Sequence, residues 1–301
     1  MIHHITAICA DAQRTSDFYT NILGLRLVKL TVNQDDVGTY HLYFGDRVGA
    51  PGTVMTFFPW AYLPQGTLGV GCVSAVAFAV PPGALHYWES RLNRSGINVE
   101  SVERFGVKNL LCADPDGLKL EFTESPGVSD WTKQVSQEYA IHSFFGATLM
   151  VQDATPTQQM LMEYFNYSFE AHAPSRMRLR SASGGVIDII SNQEMESASQ
   201  GTGSVHHIAF RTADNMAQRV IRARLVAEYL HPTPIIDRYY FASVYFREPG
   251  GILFEIATDG PGFTVDETEA ALGTKLVLPP RIEAARAEIL KMLPPFEFNK
   301  K

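Results

Sequence analysis

Two pairs of adjacent histidines open two apolar segments at opposite ends of the sequence. His3 and His4 lie in MIHHITAICA, and His206 and His207 lie in GSVHHIAFRT. Such apolar runs predict β-strands, in which successive side chains point to opposite faces. We expect the second histidine of each pair to face inward, because His4 shares a face with Thr6 and HHIA repeats the register. The first histidine would then support it from behind by hydrogen bonding.

A glutamate stands at a matching position after two tight turns. The segments DPDGLKLE and EPGGILFE place Glu121 and Glu255 at the same offset from the last turn residue. Glu121 has no histidine companion in its own part of the chain, whereas Glu255 follows the second histidine pair. The imidazoles of His4 and His207 with the carboxylate of Glu255 form the ligand set of non-haem Fe(II) oxygenases, which leaves positions for substrate and dioxygen.

These residues belong to a pattern of strand, helix and three strands that the chain repeats four times. Half-buried strands with one helix on each sheet predict an α+β fold of four βαβββ modules that form two cup-shaped mixed sheets. The predicted modules span residues 1–60, 71–124, 143–192 and 204–258. We expect an N-terminal pair of modules over 1–125, a linker over 126–142, a C-terminal pair over 143–260 and a helical tail over 261–301.

Alignment of the four modules predicts which of them pair. The start of the first strand carries His4, Ser74, Phe145 and His207 in turn, and the last strand carries Thr56, Glu121, Ile189 and Glu255. Only the first and fourth modules supply a histidine. We therefore expect modules 1 and 4 to pair around a metal, and modules 2 and 3 to form a cup without one.

Composition limits the class of partner. The net charge is −7, and no cluster of Lys and Arg is longer than two, which argues against nucleic-acid or anionic-membrane surfaces. The three cysteines are scattered among apolar neighbours, which favours reduced thiols over a disulfide framework. With no signal segment or long apolar run, the sequence predicts a cytoplasmic protein that forms no membrane contact. It leaves open whether the protein is a monomer or a homo-oligomer.

The motifs HHIT, FYTNILGLRLVK, TYHLYFGD, PGTVMTFFPW, VHHIAF and PGGILFE together resemble the vicinal oxygen chelate superfamily. Within it, the chain is similar to ring-cleaving extradiol dioxygenases of the dichlorohydroquinone dioxygenase type. The resemblance extends over nearly the whole sequence. It implies that His4, His207 and Glu255 bind Fe(II), with Mn(II) as a possible substitute, and that the partners are a small aromatic substrate and dioxygen.

The same resemblance implies a set of supporting residues around the metal. Their counterparts in this chain are His3, Thr6, His206, Arg238 and Tyr245. His206 and Tyr245 are candidates for proton transfer or oxyanion stabilisation, and Arg238 is a candidate for balancing developing negative charge. The loop between Arg238 and Tyr245 is shorter than in the dichlorohydroquinone enzymes, so substrate-shape residues there do not carry over.

Several alternatives remain open from sequence. Glu121 could be an ordinary rim carboxylate or a ligand, His142 could rescue a second site by a shift of register, and His41 is interpreted as structural. Arg238 and Tyr245 could serve packing. A glyoxalase-like isomerase or lyase would use the same cup but usually a four-ligand set with a second carboxylate, and a binding protein of this fold would need no metal.

Overall fold

The four expected modules all form in the computed structural model, which describes residues 1–298. Module 1 contains β1 (Ile2–Cys9), α1 (Ala12–Asp17) with a π-helical turn (Phe18–Ile22), β2 (Arg26–Asn33), β3 (Asp36–Gly45) and β4 (Val54–Pro59). Module 2 contains β5 (Cys72–Val80), α2 (Leu85–Arg94), β6 (Glu100–Arg104), β7 (Val107–Ala113) and β8 (Lys119–Glu124).

The second half of the chain repeats the order. Module 3 contains β9 (Ser143–Val151), α3 (Ala154–Phe165), β10 (Tyr167–Ala173), β11 (Arg176–Ser181) and β12 (Val186–Ser191). Module 4 contains β13 (Val205–Thr212), α4 (Asn215–Ala227), β14 (Ile236–Asp237), β15 (Ala242–Arg247) and β16 (Leu253–Thr258). An aspartate side chain caps the first turn of three of these helices: Asp11 for α1, Asp153 for α3 and Asp214 for α4.

The expected pairing of modules is confirmed. One eight-stranded sheet has the order β14-β15-β16-β13-β1-β4-β3-β2, and the other has the order β10-β11-β12-β9-β5-β8-β7-β6. In each sheet two modules meet through the antiparallel pairing of their first strands, β1 with β13 and β5 with β9. The two ends of the polypeptide therefore share one sheet, and the two central modules share the other.

The strand registers correct the alignment of the two central modules by one residue. Thr56 lies beside Thr6 and Glu255 beside Ala209, so Thr56 and Glu255 are equivalent positions. By the same pairing, Glu121 lies beside Ala77 and Asp188 beside Thr148.

In modules 2 and 3, the positions equivalent to His4 and His207 are therefore Ala75 and Gly146, not Ser74 and Phe145. In module 3, the position equivalent to Glu255 is Asp188, not Ile189. A shift of one residue moves a side chain to the other face of its sheet. The central modules contain no histidine in these strands that could have anchored the alignment.

The segment after the fourth module packs against β2 and carries less helix than expected. ETEAALG forms only a 3₁₀ turn (Glu269–Ala271), and two short helices follow, α5 (Pro280–Glu283) and α6 (Arg286–Met292). Lys29 is fully buried and pairs with Asp266 at 2.7 Å and with Glu267, which fixes this segment to the sheet. The predicted tail continues through 299–301, which lie outside the described residues.

Within residues 1–298, every helix is too short or too polar to traverse a bilayer.

The sheet order predicts that the two halves of the sequence need each other to fold. Each sheet takes half of its strands from residues 1–125 and half from residues 143–260. A fragment of residues 1–125 would expose the free edges of β1 and β5, which favours aggregation. We expect each half to be insoluble or unfolded alone, and the co-expressed halves to purify as one complex with native circular dichroism.

Residues 1–125 would instead be an independent domain if that fragment alone were monomeric and unfolded cooperatively on heating.

Candidate metal centre

The pairing of the terminal modules brings together His4, His207 and Glu255. His4 Nε2 lies 3.3 Å from His207 Nε2, and Glu255 Oε2 lies 3.2 Å from the first and 2.9 Å from the second. All three side chains are buried, and Glu255 is completely inaccessible to solvent. Among the described residues, this is the one group of three or more His, Cys, Asp or Glu side chains whose ligand atoms converge.

The three separations fit ligands around a single ion. Two ligands at right angles, each about 2.1 Å from a metal, lie about 3.0 Å apart. Glu255 Oε2 is buried and has no hydrogen-bond donor among residues 1–298. Three electron-rich atoms at these distances repel one another unless a cation or a shared proton lies between them. Two imidazole nitrogens and a carboxylate suit a divalent transition metal.

The histidine doublets are explained by the contacts of the Nδ1 atoms. His3 Nδ1 lies 2.9 Å from His4 Nδ1, and His206 Nδ1 lies 2.8 Å from His207 Nδ1. Burial lowers the pKa of His3 and of His206 to about 3, so both outer rings are neutral. A neutral pair makes this contact when one Nδ1 donates and the other accepts. With the proton on the inner ring's Nδ1, its Nε2 presents a lone pair to the centre.

The carboxylate is held in its ionised form and in one orientation. Burial pushes the pKa of Glu255 upward, but the His4 and His207 imidazoles outweigh burial and hold that pKa well below its usual range. Ser243 Oγ donates a hydrogen bond of 2.5 Å to Glu255 Oε1, which leaves Oε2 to face the histidines. The sequence analysis missed Ser243. Its signal was the alternation along β15, which places it on the same face as Tyr245.

The cup around this group is lined by side chains from both modules. The Tyr245 ring contacts the His207 ring edge-on, with 5.5 Å between the ring centroids. Burial raises the pKa of Tyr245. The ring centroids of Phe241 and His4 lie 5.1 Å apart. His41 and Tyr43 line the opposite wall. His41, interpreted from sequence as structural, lies in the cavity wall.

Of the other supporting residues expected from sequence, Thr6 hydrogen bonds through Oγ1 to Thr56 Oγ1 at 2.8 Å. Arg238 lies farther out, with its guanidinium 5.4 Å from the Tyr245 ring. Arg238 also donates to Asp35 through Nη1 at 3.0 Å and through Nη2 at 2.7 Å. The salt bridge to Asp35 was not foreseen.

This salt bridge closes the mouth of the cup. Gln34 and Asp35 form the tip of the β2–β3 hairpin, and Gln34 Nε2 donates to the Arg238 carbonyl at 2.8 Å. The cavity at this point is about 30 Å³. A cavity that holds a benzene ring measures roughly 150 Å³. An aromatic ligand could therefore reach the centre only if side chains that line this cavity, such as Asp35 and Arg238, moved apart.

The second cup has a different arrangement at the equivalent positions. Asp188 accepts hydrogen bonds from Arg178 Nε at 2.7 Å and from Arg176 Nη1 at 2.9 Å. Glu121 lies 3.4 Å from Arg104 Nη2. Guanidinium groups thus balance the carboxylates there. The side chains of Ala75 and Gly146 offer no ligand atoms, and within residues 1–298 no group of three converging ligand side chains includes Glu121.

Comparisons with known proteins agree with this architecture. The sequence profile described as Glyoxalase/Bleomycin resistance protein/Dioxygenase superfamily matches residues 1–122. A Bacillus subtilis protein provisionally named ring-cleaving dioxygenase MhqE is 46% identical over 299 residues, covering 97% of this chain and 98% of the relative. A Sphingobium indicum protein named chlorohydroquinone/hydroquinone 1,2-dioxygenase is 33% identical over 308 residues, covering 97% of this chain and 95% of that protein.

Solved structures show the same fold. A crystal structure of a Bacillus subtilis protein provisionally described as a dioxygenase superposes with a TM-score of 0.96 at 43% identity, covering 100% of this chain and 98% of that one. Glyoxalase I from Zea mays superposes with a TM-score of 0.64 at 14% identity, covering 86% and 92% of the two chains. At that identity the likeness concerns the fold alone.

The two cups provide a matched pair of substitutions for metal binding. We expect Glu255→Gln to lose most bound metal, because it removes the anionic ligand between two neutral imidazoles. Glu121→Gln, at the equivalent position of the second cup, should keep the wild-type content. Metal per chain would be measured by plasma mass spectrometry after loading with Fe(II) under nitrogen and desalting. Equal metal content in Glu255→Gln and wild type would remove Glu255 from the ligand set.

Proposed function

The chain belongs to the glyoxalase, bleomycin resistance protein and dioxygenase superfamily, and we propose that it is an Fe(II)-dependent ring-cleaving dioxygenase of hydroquinone-like aromatics. His4, His207 and Glu255 are the proposed ligands. The relative provisionally named ring-cleaving dioxygenase MhqE and the relative named chlorohydroquinone/hydroquinone 1,2-dioxygenase each match nearly all of this chain. The name of the Sphingobium indicum relative includes hydroquinone, which supports a 1,4-diol over a catechol as the substrate of this chain.

The observation that carries the proposal is that the site offers three ligand side chains, whereas the position where a fourth ligand could stand carries a neutral residue. Thr56 occupies in module 1 the place that Glu255 occupies in module 4. A second carboxylate there would complete a four-ligand centre. The threonine hydroxyl instead bonds to Thr6 and His41, and is not free to act as a ligand. Three protein ligands on one side leave room for both a substrate oxygen and dioxygen, as ring cleavage requires.

Bound Fe(II) would supply a Lewis acid and a route for electrons from the aromatic ring to dioxygen. The chain's own side chains bind and orient the substrate. The rings of Phe241, Tyr245 and Tyr43 line the cavity and would contact a flat aromatic molecule once the cavity had opened to admit it. Arg238 at the mouth supplies a positive charge toward an ionised hydroxyl, and Tyr245 supplies a hydroxyl group close to the ligands. Closure of the hairpin tip excludes water.

His206 and His3 act through the ligands in this proposal. Each fixes the tautomer of the adjacent inner histidine through the Nδ1 contact. His3 Nε2 is buried without a hydrogen-bond partner among residues 1–298, whereas His206 lines a cleft of about 650 Å³ between the two sheets. His206 is therefore the better placed of the two to exchange a proton with solvent.

Oxygen consumption tests the proposal. Protein stripped of metal would be reloaded with Fe(II), Mn(II) or Zn(II) and supplied with hydroquinone or catechol in an oxygen electrode. We expect one O₂ consumed per hydroquinone with Fe(II) and none with Zn(II). His207→Ala treated identically controls for metal-catalysed autoxidation.

Two other outcomes would overturn the dioxygenase assignment. Isomerisation of a glutathione hemithioacetal by metal-loaded protein, without uptake of oxygen in the presence of any diol, would indicate a glyoxalase-like enzyme. Tight binding of aromatics that persists without metal and without turnover would indicate a binding protein.

The Asp35–Arg238 salt bridge predicts a salt-dependent step in substrate binding. Asp35→Asn should raise the rate constant for anaerobic hydroquinone binding by up to about fivefold, because an exposed ion pair contributes about 0.2–1 kcal/mol. Added salt should raise the wild-type rate in the same direction and leave the variant unchanged. Asp36→Asn, one residue along the hairpin, is the matched control. Stopped-flow binding that is unaltered in Asp35→Asn would show that the bridge does not gate the cup.

A further inference from the structure

A chain of hydrogen bonds runs from Thr6, two residues after the proposed ligand His4, to Tyr43 in the cavity wall. Thr6 Oγ1 lies 2.8 Å from Thr56 Oγ1, Thr56 Oγ1 lies 2.9 Å from His41 Nε2, and His41 Nδ1 lies 2.7 Å from the Tyr43 hydroxyl. Burial lowers the pKa of His41 well below its usual range, so the ring carries one N–H. The four groups thus contain four polar hydrogens, and their three mutual bonds use three of them.

The fourth hydrogen lies on Thr6, on Thr56 or on Tyr43, and burial decides which. Thr6 and Thr56 are both completely buried, and within residues 1–298 the Thr6 hydroxyl bonds to Thr56 alone and the Thr56 hydroxyl to Thr6 and His41. If the bonds ran from Tyr43 toward Thr6, the Thr6 hydrogen would be buried without an acceptor. If Thr6 and His41 Nε2 both donated to Thr56, the Thr56 hydrogen would be, and both arrangements are disfavoured. Thr6 therefore donates to Thr56, and Thr56 donates to His41 Nε2.

The remaining hydrogens follow from these two bonds. His41 Nε2 is an acceptor, so the ring proton is on Nδ1 and is donated to the Tyr43 oxygen. The Tyr43 hydrogen is then left over, and Tyr43 lines the cavity beside the proposed ligands.

We propose that Tyr43 is a further substrate-binding residue, whose hydroxyl donates a hydrogen bond to an oxygen of an aromatic diol in the cup. Thr6, Thr56 and His41 are positioning residues that fix the tautomer of His41 and so keep this hydrogen directed into the cavity. This inference rests on the proposed function.

The internal symmetry of the sheet supports the assignment independently. Tyr43 pairs with Thr56 across β3 and β4, as Tyr245 pairs with Glu255 across β15 and β16. The two tyrosines are therefore equivalent residues on opposite walls of one cup. Two residues before each tyrosine stands a polar residue that hydrogen bonds within the cup, His41 in module 1 and Ser243 in module 4. Ser243 orients the carboxylate of Glu255, whereas His41 contacts the neutral Thr56 and orients Tyr43.

The tautomer of His41 is the direct test of the hydrogen-bond direction. Nitrogen-15 NMR of the full-length protein loaded with diamagnetic Zn(II) distinguishes Nδ1–H from Nε2–H. We expect Nδ1–H in the wild type and a growing share of Nε2–H in Thr56→Val, which removes the donor to Nε2. An Nε2–H or doubly protonated ring in the wild type would overturn the inference.

Anaerobic titration of Fe(II)-loaded protein with hydroquinone tests the role of Tyr43. We expect Tyr43→Phe to weaken binding about tenfold, and Thr56→Val to weaken it by a smaller factor through loss of the directed hydrogen. The double variant should bind no more weakly than Tyr43→Phe, because both changes remove the same hydrogen bond. Tyr40→Phe is the control, since Tyr40 is on the same strand and donates to the Pro294 carbonyl.

The outcomes separate this inference from the function it assumes. Wild-type affinity in Tyr43→Phe, or full additivity in the double variant, would overturn the role of Tyr43 while hydroquinone turnover still upheld the dioxygenase. If the wild type neither bound nor turned over hydroquinone, the proposed function would fall together with the substrate named here. The NMR result would still decide the direction of the chain.

Discussion

The constraint on which the rest of this structure depends is a buried negative charge that faces two imidazole nitrogens. Glu255 is completely buried and ionised, and its Oε2 faces the Nε2 atoms of two imidazoles within 3.2 Å. With nothing between these three atoms, the imidazole lone pairs and the carboxylate would repel one another. A folded chain can retain such an arrangement only if a cation or a shared proton balances it. The Nδ1 contacts of His3 and His206 and the hydrogen bond from Ser243 all turn electron-rich atoms toward one point.

The duplication of the fold shows two solutions of the same electrostatic problem. Both sheets join two modules through their first strands and bring acidic side chains to equivalent positions. In the central pair, Arg176 and Arg178 neutralise Asp188, and that cup encloses only about 10 Å³. In the terminal pair the histidines replace Ala75 and Gly146, and the arginine nearest the mouth is bound to the exposed Asp35 instead. In the cup with the ligand atoms, the salt bridge therefore lies at the hairpin tip and not at the acidic ligand.

Much of this organisation could be predicted from the sequence, because it depends on residues with strong individual signatures. The histidine doublets, the EPGG turn before Glu255 and the strand–helix–strand periodicity predicted four modules and the pairing of the first with the fourth. The grouping of His4, His207 and Glu255 in space agrees with the same prediction. The central modules lack such markers, and there the predicted register was wrong by one residue. Because successive strand residues point to opposite faces of a sheet, an error of one residue assigned side chains of one face to the other.

Other features depend on partners that sequence spacing does not reveal. The sequence did not indicate that His41 faces the cavity. Its contacts are with Thr56 on the neighbouring strand and with Tyr43 two residues away, and sequence spacing alone does not reveal them. The salt bridge between Asp35 and Arg238 joins residues from modules 1 and 4 that are 203 positions apart in the sequence. The sequence predicts a helical tail over 261–301, but much of its described part, 261–298, is irregular and is held by ion pairs to Lys29. In each case tertiary contacts override the local pattern.

Anomalous X-ray diffraction at the iron edge, from crystals grown under nitrogen with Fe(II), tests the central claim most directly. The account predicts one strong peak per chain, within bonding distance of His4 Nε2, His207 Nε2 and Glu255 Oε2. A peak bound elsewhere, or fully loaded crystals in which those three atoms held no metal, would contradict it.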